Sequence, residues 1–300
     1  MFNIFGFYKF KKLNNLKKLK NRLENNLKDY EIRGTIIISP EGVNGTISDK
    51  KNNLLKFNKL LKKILSIKKF NSENNSNSKF NPFHKLKIKI KKEVVPMCFK
   101  VRNYNFPKNN LNPREWNKII KKKDTVLIDA RKSFEYDVGT FKNSLNPNVE
   151  NFRQFPKYLN QFKNSENIAM FCTGGIRCEK ANIYLKKKGF KNVYVLKGGI
   201  INYLNNINKK NSQWNGECFV FDNRVSLKHK LKQGTFSICG GCRKPISTKD
   251  KKSKKYEEGV SCERCYDTLS SLQKSRFRMR QNQINLAKKA GKKHKFQKEY

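Results

Sequence analysis

Acidic residues are scarce in this 300-residue chain: 23 aspartates and glutamates stand against 68 lysines and arginines, a formal charge of +45. Histidine is scarcer still. Its three copies, His84, His229 and His294, are scattered among three segments, so no two-histidine, one-carboxylate set for a mononuclear iron centre is present, and each histidine reads as a surface residue. A glycine-rich dinucleotide fingerprint is also missing. No run of eighteen apolar residues occurs, and the N-terminus MFNIFGFYKFKK lacks the basic, apolar and small-residue regions of a secretory signal. These absences exclude flavin- or nicotinamide-type fingerprints and spanning helices, and they predict a soluble, cytoplasmic protein with no membrane partner.

What is present begins with lysine: 55 of the 68 basic residues are lysine and 13 arginine, and asparagine pairs such as Asn74-Asn75 and Asn205-Asn206 recur. That bias resembles the coding signature of an A+T-rich genome, so part of the charge is compositional. An excess this large still predicts a polyanionic partner, RNA above all. Nothing in the sequence points to a particular protein partner. Of the eight cysteines, Cys98, Cys172, Cys178, Cys218, Cys239, Cys242, Cys262 and Cys265, six fall in closely spaced pairs. Such clustering suits metal or redox chemistry in a reducing compartment better than a secreted disulfide framework.

The hydrophobic pattern divides the chain into four parts. Residues 1–92 alternate strand-like and helix-like stretches: Asn3 to Tyr8, leucines at 13, 16, 19, 23 and 27 with helical spacing, a β-branched run from Ile32 to Ser39, the turn Pro40-Glu-Gly-Val-Asn-Gly45, a short strand Thr46 to Ser48, a helix from Lys51 to Ile67 and an alternating strand Lys85 to Lys91. With residues 71–79 taken as an Asn/Ser-rich loop, the order is βαββαβ, a ferredoxin-like α+β domain. Residues 93–114, with Pro96, Pro107 and Pro113, read as a linker that wraps against its neighbours. Residues 115–210 form an α/β domain in which apolar strands at Thr125 to Ala130, before Cys172 and at Val193 to Leu196 alternate with helices, the pattern of a parallel sheet covered on both faces. Residues 211–300 are a small Cys-rich, basic segment too poor in apolar residues to build a large core by itself.

Cys172 stands at the carboxyl end of the run Asn167 to Phe171, where parallel sheets place their sites, and opens the heptapeptide CTGGIRC. Strand, Gly-Gly loop and helix in that order aim several backbone N–H groups and the positive end of a helix dipole at one point. A thiol placed there ionises more readily and becomes nucleophilic; the plain alternative is a buried structural cysteine beside a turn. Arg177 follows Cys172 after four residues, one short of the Cys-x5-Arg spacing that cradles a phosphoryl group, so a phosphatase is excluded. The shorter loop, Thr173, Gly174, Gly175, Ile176 and Arg177, fits a single sulfur anion such as a persulfide on Cys172. Three neighbours carry open readings. Cys178 either resolves an oxidised Cys172 or packs beneath the loop, Arg177 either orients an anionic substrate or faces solvent, and Arg131 holds the loop through hydrogen bonds in preference to acting directly in catalysis.

Asp129-Ala-Arg131, Glu135 to Phe141, CTGGIRC and Leu196-Lys-Gly-Gly-Ile200 resemble, in that order, the landmarks of a rhodanese domain. GTIIISPEGVNGT at 34–46, Phe152-Arg-Gln-Phe-Pro156, CTGGIRCEKA at 172–181 and GECFVFDNRV at 216–225 narrow the resemblance to the rhodanese-like tRNA uridine hydroxylases, over about residues 1–265. Ser144 in place of a small alanine and Val43 in place of isoleucine depart from that pattern without touching the chemistry. The resemblance implies oxygen-dependent hydroxylation of the wobble uridine (uridine 34) of tRNA to 5-hydroxyuridine. Cys172 would be the active-site residue, acting through a persulfide, with molecular oxygen as co-substrate and an unidentified electron donor. A plain sulfurtransferase, using the same loop as a persulfide carrier, is the alternative reading; a non-catalytic RNA-binding scaffold is the third.

Cys239, Cys242, Cys262 and Cys265 form C-x2-C-x19-C-x2-C, the spacing of a four-cysteine zinc ribbon or knuckle, and predict a structural zinc. The tail from Lys274 to Tyr300 interleaves cations with Phe277 and Phe296, which suits phosphate contacts and stacking on unpaired bases of a tRNA anticodon loop.

Overall fold

The computed structural model describes all residues except Asp29, Arg102, Asn103, 105–108 and 293–300. Pro107 of the expected linker, and His294, Lys295 and Phe296 of the expected tail, lie outside the described residues. The chain divides into two compact units, residues 1–218 with 228–232, and residues 219–227 with 233–300.

In the first unit, β1 (Phe2–Phe10), α1 (Leu16–Leu27), β2 (Arg33–Ser39), β3 (Gly42–Asp49), α2 (Lys51–Leu65), β4 (Ser72–Ser78) and β5 (Leu86–Ile90) build a five-stranded sheet in the order β4-β1-β3-β2-β5. The first four strands have the ferredoxin-like arrangement, as expected. Its last member differs: the expected loop at 71–79 is β4, antiparallel to β1, and the run at 85–91 supplies a fifth strand, parallel to β2 at the opposite edge. The sequence SENNSNS has almost no intrinsic preference for strand; its backbone is recruited by the open edge of β1, which is why composition misread it. Helix α2 buries Leu54, Phe57, Leu61, Ile64 and Leu65, one stripe at helical spacing, against Phe5, Phe7, Ile36, Ile38, Val43 and Ile47 of the sheet. Its end is set by Ser66 in the left-handed conformation, whose N–H reaches the carbonyls of Lys62 and Lys63.

Next come β6 (Asn110–Leu111), α3 (Pro113–Ile119), β7 (Thr125–Asp129), α4 (Ser133–Tyr136), β8 (Gly139–Phe141), α5 (Phe155–Leu159), β9 (Asn167–Phe171), α6 (Ile176–Lys187), β10 (Val193–Leu196), α7 (Gly199–Asn206) and β11 (Trp214–Gly216). The order β6-β10-β9-β7 is parallel at every pairing, the sheet foreseen from the apolar runs. Alternation along β9 shows both faces covered. Ile168 and Met170 join Cys178, Ala181 and Leu185 of α6 and Phe155 and Leu159 of α5, whereas Phe171 points into an aromatic cluster with Trp116, Phe141, Tyr203 and Trp214. β8 and β11 pair antiparallel beside that cluster.

Residues 93–101 wrap, as expected: Val94, Val95, Met97 and Val101 are buried in the core that also holds Tyr8 and Phe10 of β1. They are tied down by fully buried Lys180 of α6, whose ammonium meets Glu41 Oε1 at 2.6 Å, Glu93 Oε2 at 2.7 Å and the Val95 carbonyl at 2.9 Å. Glu41 in turn accepts from the N–H groups of Val94 and Val101, and Glu93 from those of Met97 and Cys98. Every proton of the ammonium has a partner, so a charge that would be prohibitive alone is accommodated in the core.

The second unit is small. A hairpin of Ser237–Ile238 with Pro245–Ile246 carries the first cysteine pair, and α8 (Ser271–Lys289) follows, opened by a capping box in which Ser270 and Gln273 satisfy each other's backbone N–H.

Candidate active site and cysteine cluster

The strand β9 ends at Phe171, and Cys172 to Gly175 turn directly into α6, the junction read from the sequence. Gly175 has φ +101°, and a Cβ there would lie 2.9 Å from the Tyr8 hydroxyl, so glycine is demanded by conformation and by space. Cys172 is buried, and its sulfur accepts the Gly175 N–H at 3.2 Å. Burial by itself pushes this thiol up; the Cys178 thiol, the Arg177 guanidinium and the N–H groups of Cys178 and Arg177 outweigh it and bring it down to about 5. Cys172 is therefore anionic at neutral pH. Cys178 moves the other way, raised by burial and by its anionic neighbour, and remains a thiol that donates to Cys172. Two further contacts aim the loop. The N–H groups of Ile200 and Ile201, at the start of α7, donate to the carbonyls of Cys172 and Thr173 at 3.0 and 3.1 Å. The Gly198-Gly199 pair serves this approach: a Cβ on Gly199 would stand 2.4 Å from the Cys172 oxygen.

Arg177 does not face open solvent. Its guanidinium is held by buried Glu135 through bonds of 2.8 and 2.9 Å, and it also donates to Thr173 Oγ1 at 3.3 Å. Burial would raise the Glu135 carboxyl, but Arg177, with Arg131 behind it, holds it below the usual carboxylate range. Arg131 is structural, yet its bonds do not reach the Cys172 loop: the guanidinium clamps Asp129 at 2.8 and 2.6 Å and the Gly139 carbonyl at 2.6 Å, and lies over the Trp214 ring. The two departures from the family pattern are accommodated, Val43 in the core of the sheet and Ser144 in contact with Thr140 Oγ1 at 2.7 Å.

The sequence reading missed the groups that reach this loop from the N-terminal sheet. Glu179 is buried in the first turn of α6, where it accepts from Asn71 Nδ2 at 3.1 Å, from Asn110 Nδ2 at 3.3 Å and from the Tyr8 hydroxyl. Burial pushes its carboxyl up to about 7, with the charge of Cys172 adding to the rise and the three hydrogen bonds opposing it. Glu135 and Glu179 both lie inside quoted motifs and carried a signal; Tyr8, Asn71 and Asn110 carried none, since only folding brings them near Cys172.

In the second unit Cys239, Cys242, Cys262 and Cys265 come together with all ligand atoms within 4.8 Å of one another. Three sulfur pairs, 239–265, 242–262 and 262–265, are each separated by 3.8 Å. A tetrahedron with metal–sulfur bonds of about 2.3 Å has edges of about 3.8 Å, so the donor set can hold a metal ion. Gly240 and Gly241 are required by crowding rather than flexibility: a Cβ on either would fall 2.1 Å from the Gly259 oxygen or 2.3 Å from the Val260 oxygen. Arg280 of α8 braces both turns, donating to the Gly240 and Gly259 carbonyls at 2.9 and 2.8 Å. Among the described residues no other group of three or more His, Cys, Asp or Glu gathers in this way, and His84 and His229 join no such set.

A family model described as a UPF0176 acylphosphatase-like domain matches residues 2–94, and a rhodanese-like domain model matches residues 112–206. Along its whole length the chain is 66% identical to a protein of Pelagibacter ubique named tRNA uridine(34) hydroxylase, covering 100% of both. The chain belongs to the tRNA uridine(34) hydroxylase family. Further members with that name are 44% identical in Prochlorococcus marinus subsp. pastoris, over 95% of this chain and 94% of the relative, and 41% identical in Teredinibacter turnerae, over 96% and 91%. In this hydroxylase-family chain the rhodanese-type loop thus lies against residues of the acylphosphatase-like sheet, Tyr8 and Asn71. No helix among its described residues is long and apolar enough to cross a membrane.

Proposed function

We propose that this chain hydroxylates carbon five of uridine 34 in tRNA, giving 5-hydroxyuridine, with Cys172 as the reacting sulfur. The observation that carries the reading is a buried cysteine sulfur that accepts a loop N–H at a strand–helix junction, in a chain that shares 66% of its residues, end to end, with a protein named for that reaction. The loop from Thr173 to Arg177 presents N–H groups to the sulfur and would hold the terminal anion of a persulfide on Cys172; α7 fixes the loop carbonyls, and Glu135 fixes Arg177. Cys178, as the thiol partner of Cys172, favours the anionic sulfur and would resolve an oxidised form of it. Molecular oxygen is the co-substrate, and a two-electron donor outside this chain completes the balance, in which one oxygen atom enters the ring and the other leaves as water.

The tRNA is engaged through its anticodon region by the basic surface. Arginine supports this more than lysine does: six of the 13 arginines, Arg224, Arg243, Arg264, Arg276, Arg278 and Arg280, fall in the second unit. Zinc on Cys239, Cys242, Cys262 and Cys265 would order that unit without taking part in the reaction. The chain is organised as a ferredoxin-like domain at 1–92, a connecting segment at 93–114, a rhodanese domain at 115–210 and the Cys-rich segment at 211–300, and it works in the cytoplasm.

Nucleoside mass spectrometry of tRNA from a strain lacking the enzyme, complemented with wild-type or Cys172→Ala protein and grown with and without oxygen, tests the reading. Restoration of 5-hydroxyuridine by the wild type alone, and only with oxygen, is expected. Thiosulfate-to-cyanide turnover with unchanged tRNA would instead identify a sulfurtransferase.

A further inference from the structure

Glu179 presents a problem that its neighbours do not solve. A carboxylate taken out of water is tolerated when a cation or metal compensates it, and each of the other buried carboxylates near α6 has such a partner: Glu135 has Arg177, Asp129 has Arg131 and Glu41 has Lys180. Among the described residues no cation pairs with Glu179. Its contacts are two neutral amides and a phenol, drawn from β1, from the turn before β4 and from β6. All three contacts donate and so favour the carboxylate, while burial without a cation favours the neutral acid, which leaves the group balanced between its two forms.

Its surroundings are one-sided in charge. From β1 come Tyr8 and, farther off, Lys9, whose ammonium is pushed down by burial while Glu179 opposes that shift. The loop and α6 contribute the anionic Cys172 and the thiol Cys178; Asn71 and Asn110 are neutral. Tyr8 is the physical link, since its hydroxyl bonds Glu179 and sits 2.9 Å from where a Cβ of Gly175 would be, directly beneath the Cys172 loop.

We propose that Glu179, oriented by Tyr8, is a positioning residue that holds a proton beside the Cys172 sulfur and exchanges it as the charge on that sulfur changes. While the sulfur is anionic the carboxyl is biased toward its protonated form, because burial disfavours its charge and the nearby thiolate adds to that. When the sulfur forms a bond and loses its charge, Glu179 becomes the stronger acid and releases the proton toward a negative charge forming at the loop. The N-terminal sheet thereby completes the site instead of merely flanking it. The inference deepens the hydroxylase reading and rests on it only for the identity of the substrate.

The pH dependence of Cys172 alkylation by iodoacetamide, read by mass spectrometry of the peptide, tests the coupling without tRNA or oxygen. Wild-type protein should show one inflection near pH 5 and a second near pH 7, the second as Glu179 ionises. Glu179→Gln, which keeps the shape and hydrogen-bonding capacity, should lose the second inflection; Glu179→Asp should restore it; Tyr8→Phe should move it upward, since it removes a hydrogen bond that favours the carboxylate. In the tRNA assay Glu179→Gln should remove the limb of kcat/KM near pH 7. Rates scaled equally at all pH values in Glu179→Gln, with the profile unchanged in shape, would overturn the proposal and leave Glu179 a packing residue. A lost second inflection in a protein that does not hydroxylate tRNA would uphold the coupling and overturn the substrate instead.

Discussion

Arg177 and Glu135 close on each other through two parallel bonds, Nη1 to Oε2 at 2.8 Å and Nη2 to Oε1 at 2.9 Å, and this pair sets the electrostatics of the Cys172 loop. A two-pronged ion pair is rigid as well as strong, so the cation that lowers the thiol is held at one place. Arg177→Ala should therefore move the alkylation midpoint of Cys172 upward from about 5 toward the ordinary thiol range. An unmoved midpoint would remove Arg177 from the account of the thiolate.

Glu135→Ala leaves the guanidinium buried without its partner. A loss of stability of about 3–5 kcal/mol, measured by urea unfolding, is expected for breaking a buried pair from one side. Lys180→Ala should cost a similar amount, about 3–5 kcal/mol, because it strands Glu41 and Glu93 together, and it should loosen residues 93–101 in hydrogen exchange.

Gly199→Ala tests the seating of α7 on the loop. With φ +66° and two carbonyl oxygens within 2.5 Å of the added methyl, the substitution must push the loop away from α7. Loss of 5-hydroxyuridine formation, with a stability change of about 1–3 kcal/mol, is the expected outcome. Normal modification by this variant would show that the loop does not need α7.

Stability should depend on pH through Glu179. Its folded carboxyl, at about 7, lies above its unfolded value, so the folded state holds the proton more tightly; this stabilisation is complete below about pH 4.5 and is lost as pH rises through about 7. Cys172 acts in the opposite sense between about pH 5 and 9, having a depressed folded value. Comparison with Glu179→Gln isolates the first effect. The variant should gain on the wild type by an amount on the order of 3 kcal/mol between pH 4.5 and 8, measured by denaturant midpoints at constant ionic strength.

Chelation should affect one unit only. Treatment with a strong zinc chelator, or Cys262→Ser, should open residues 233–292 to limited proteolysis, because the four thiols lose the ion that gathers them. Cys172 alkylation should stay unchanged. Retained protease resistance with no bound metal would make the cluster self-sufficient.

Periodicity and spacing made much of this molecule legible. Leucines at helical intervals, short β-branched runs and a cysteine at the end of one of them located the helices, the parallel sheet and the strand–loop–helix junction, because each depends on residues near one another in the chain. The four cysteines were equally plain. The strand at Ser72–Ser78 was not, since its reason for being extended is the free edge of β1, more than sixty residues earlier. Arg177 shows the same limit within a recognised motif: its position was readable, but its partner Glu135, 42 residues away, was what decided where its charge points.

By itself, then, the sequence determined that a thiol would sit in an amide-lined loop and that four further thiols would have the spacing for a metal. Local chain geometry suffices for both. Only the tertiary structure decided which charges neutralise which in the dry interior: Arg177 with Glu135, Lys180 with Glu41 and Glu93, and Glu179 among Tyr8, Asn71 and Asn110, with no cation paired to it among the described residues. Those choices are set by distances across the fold, where a low dielectric makes a few ångströms decisive, and no linear pattern encodes them.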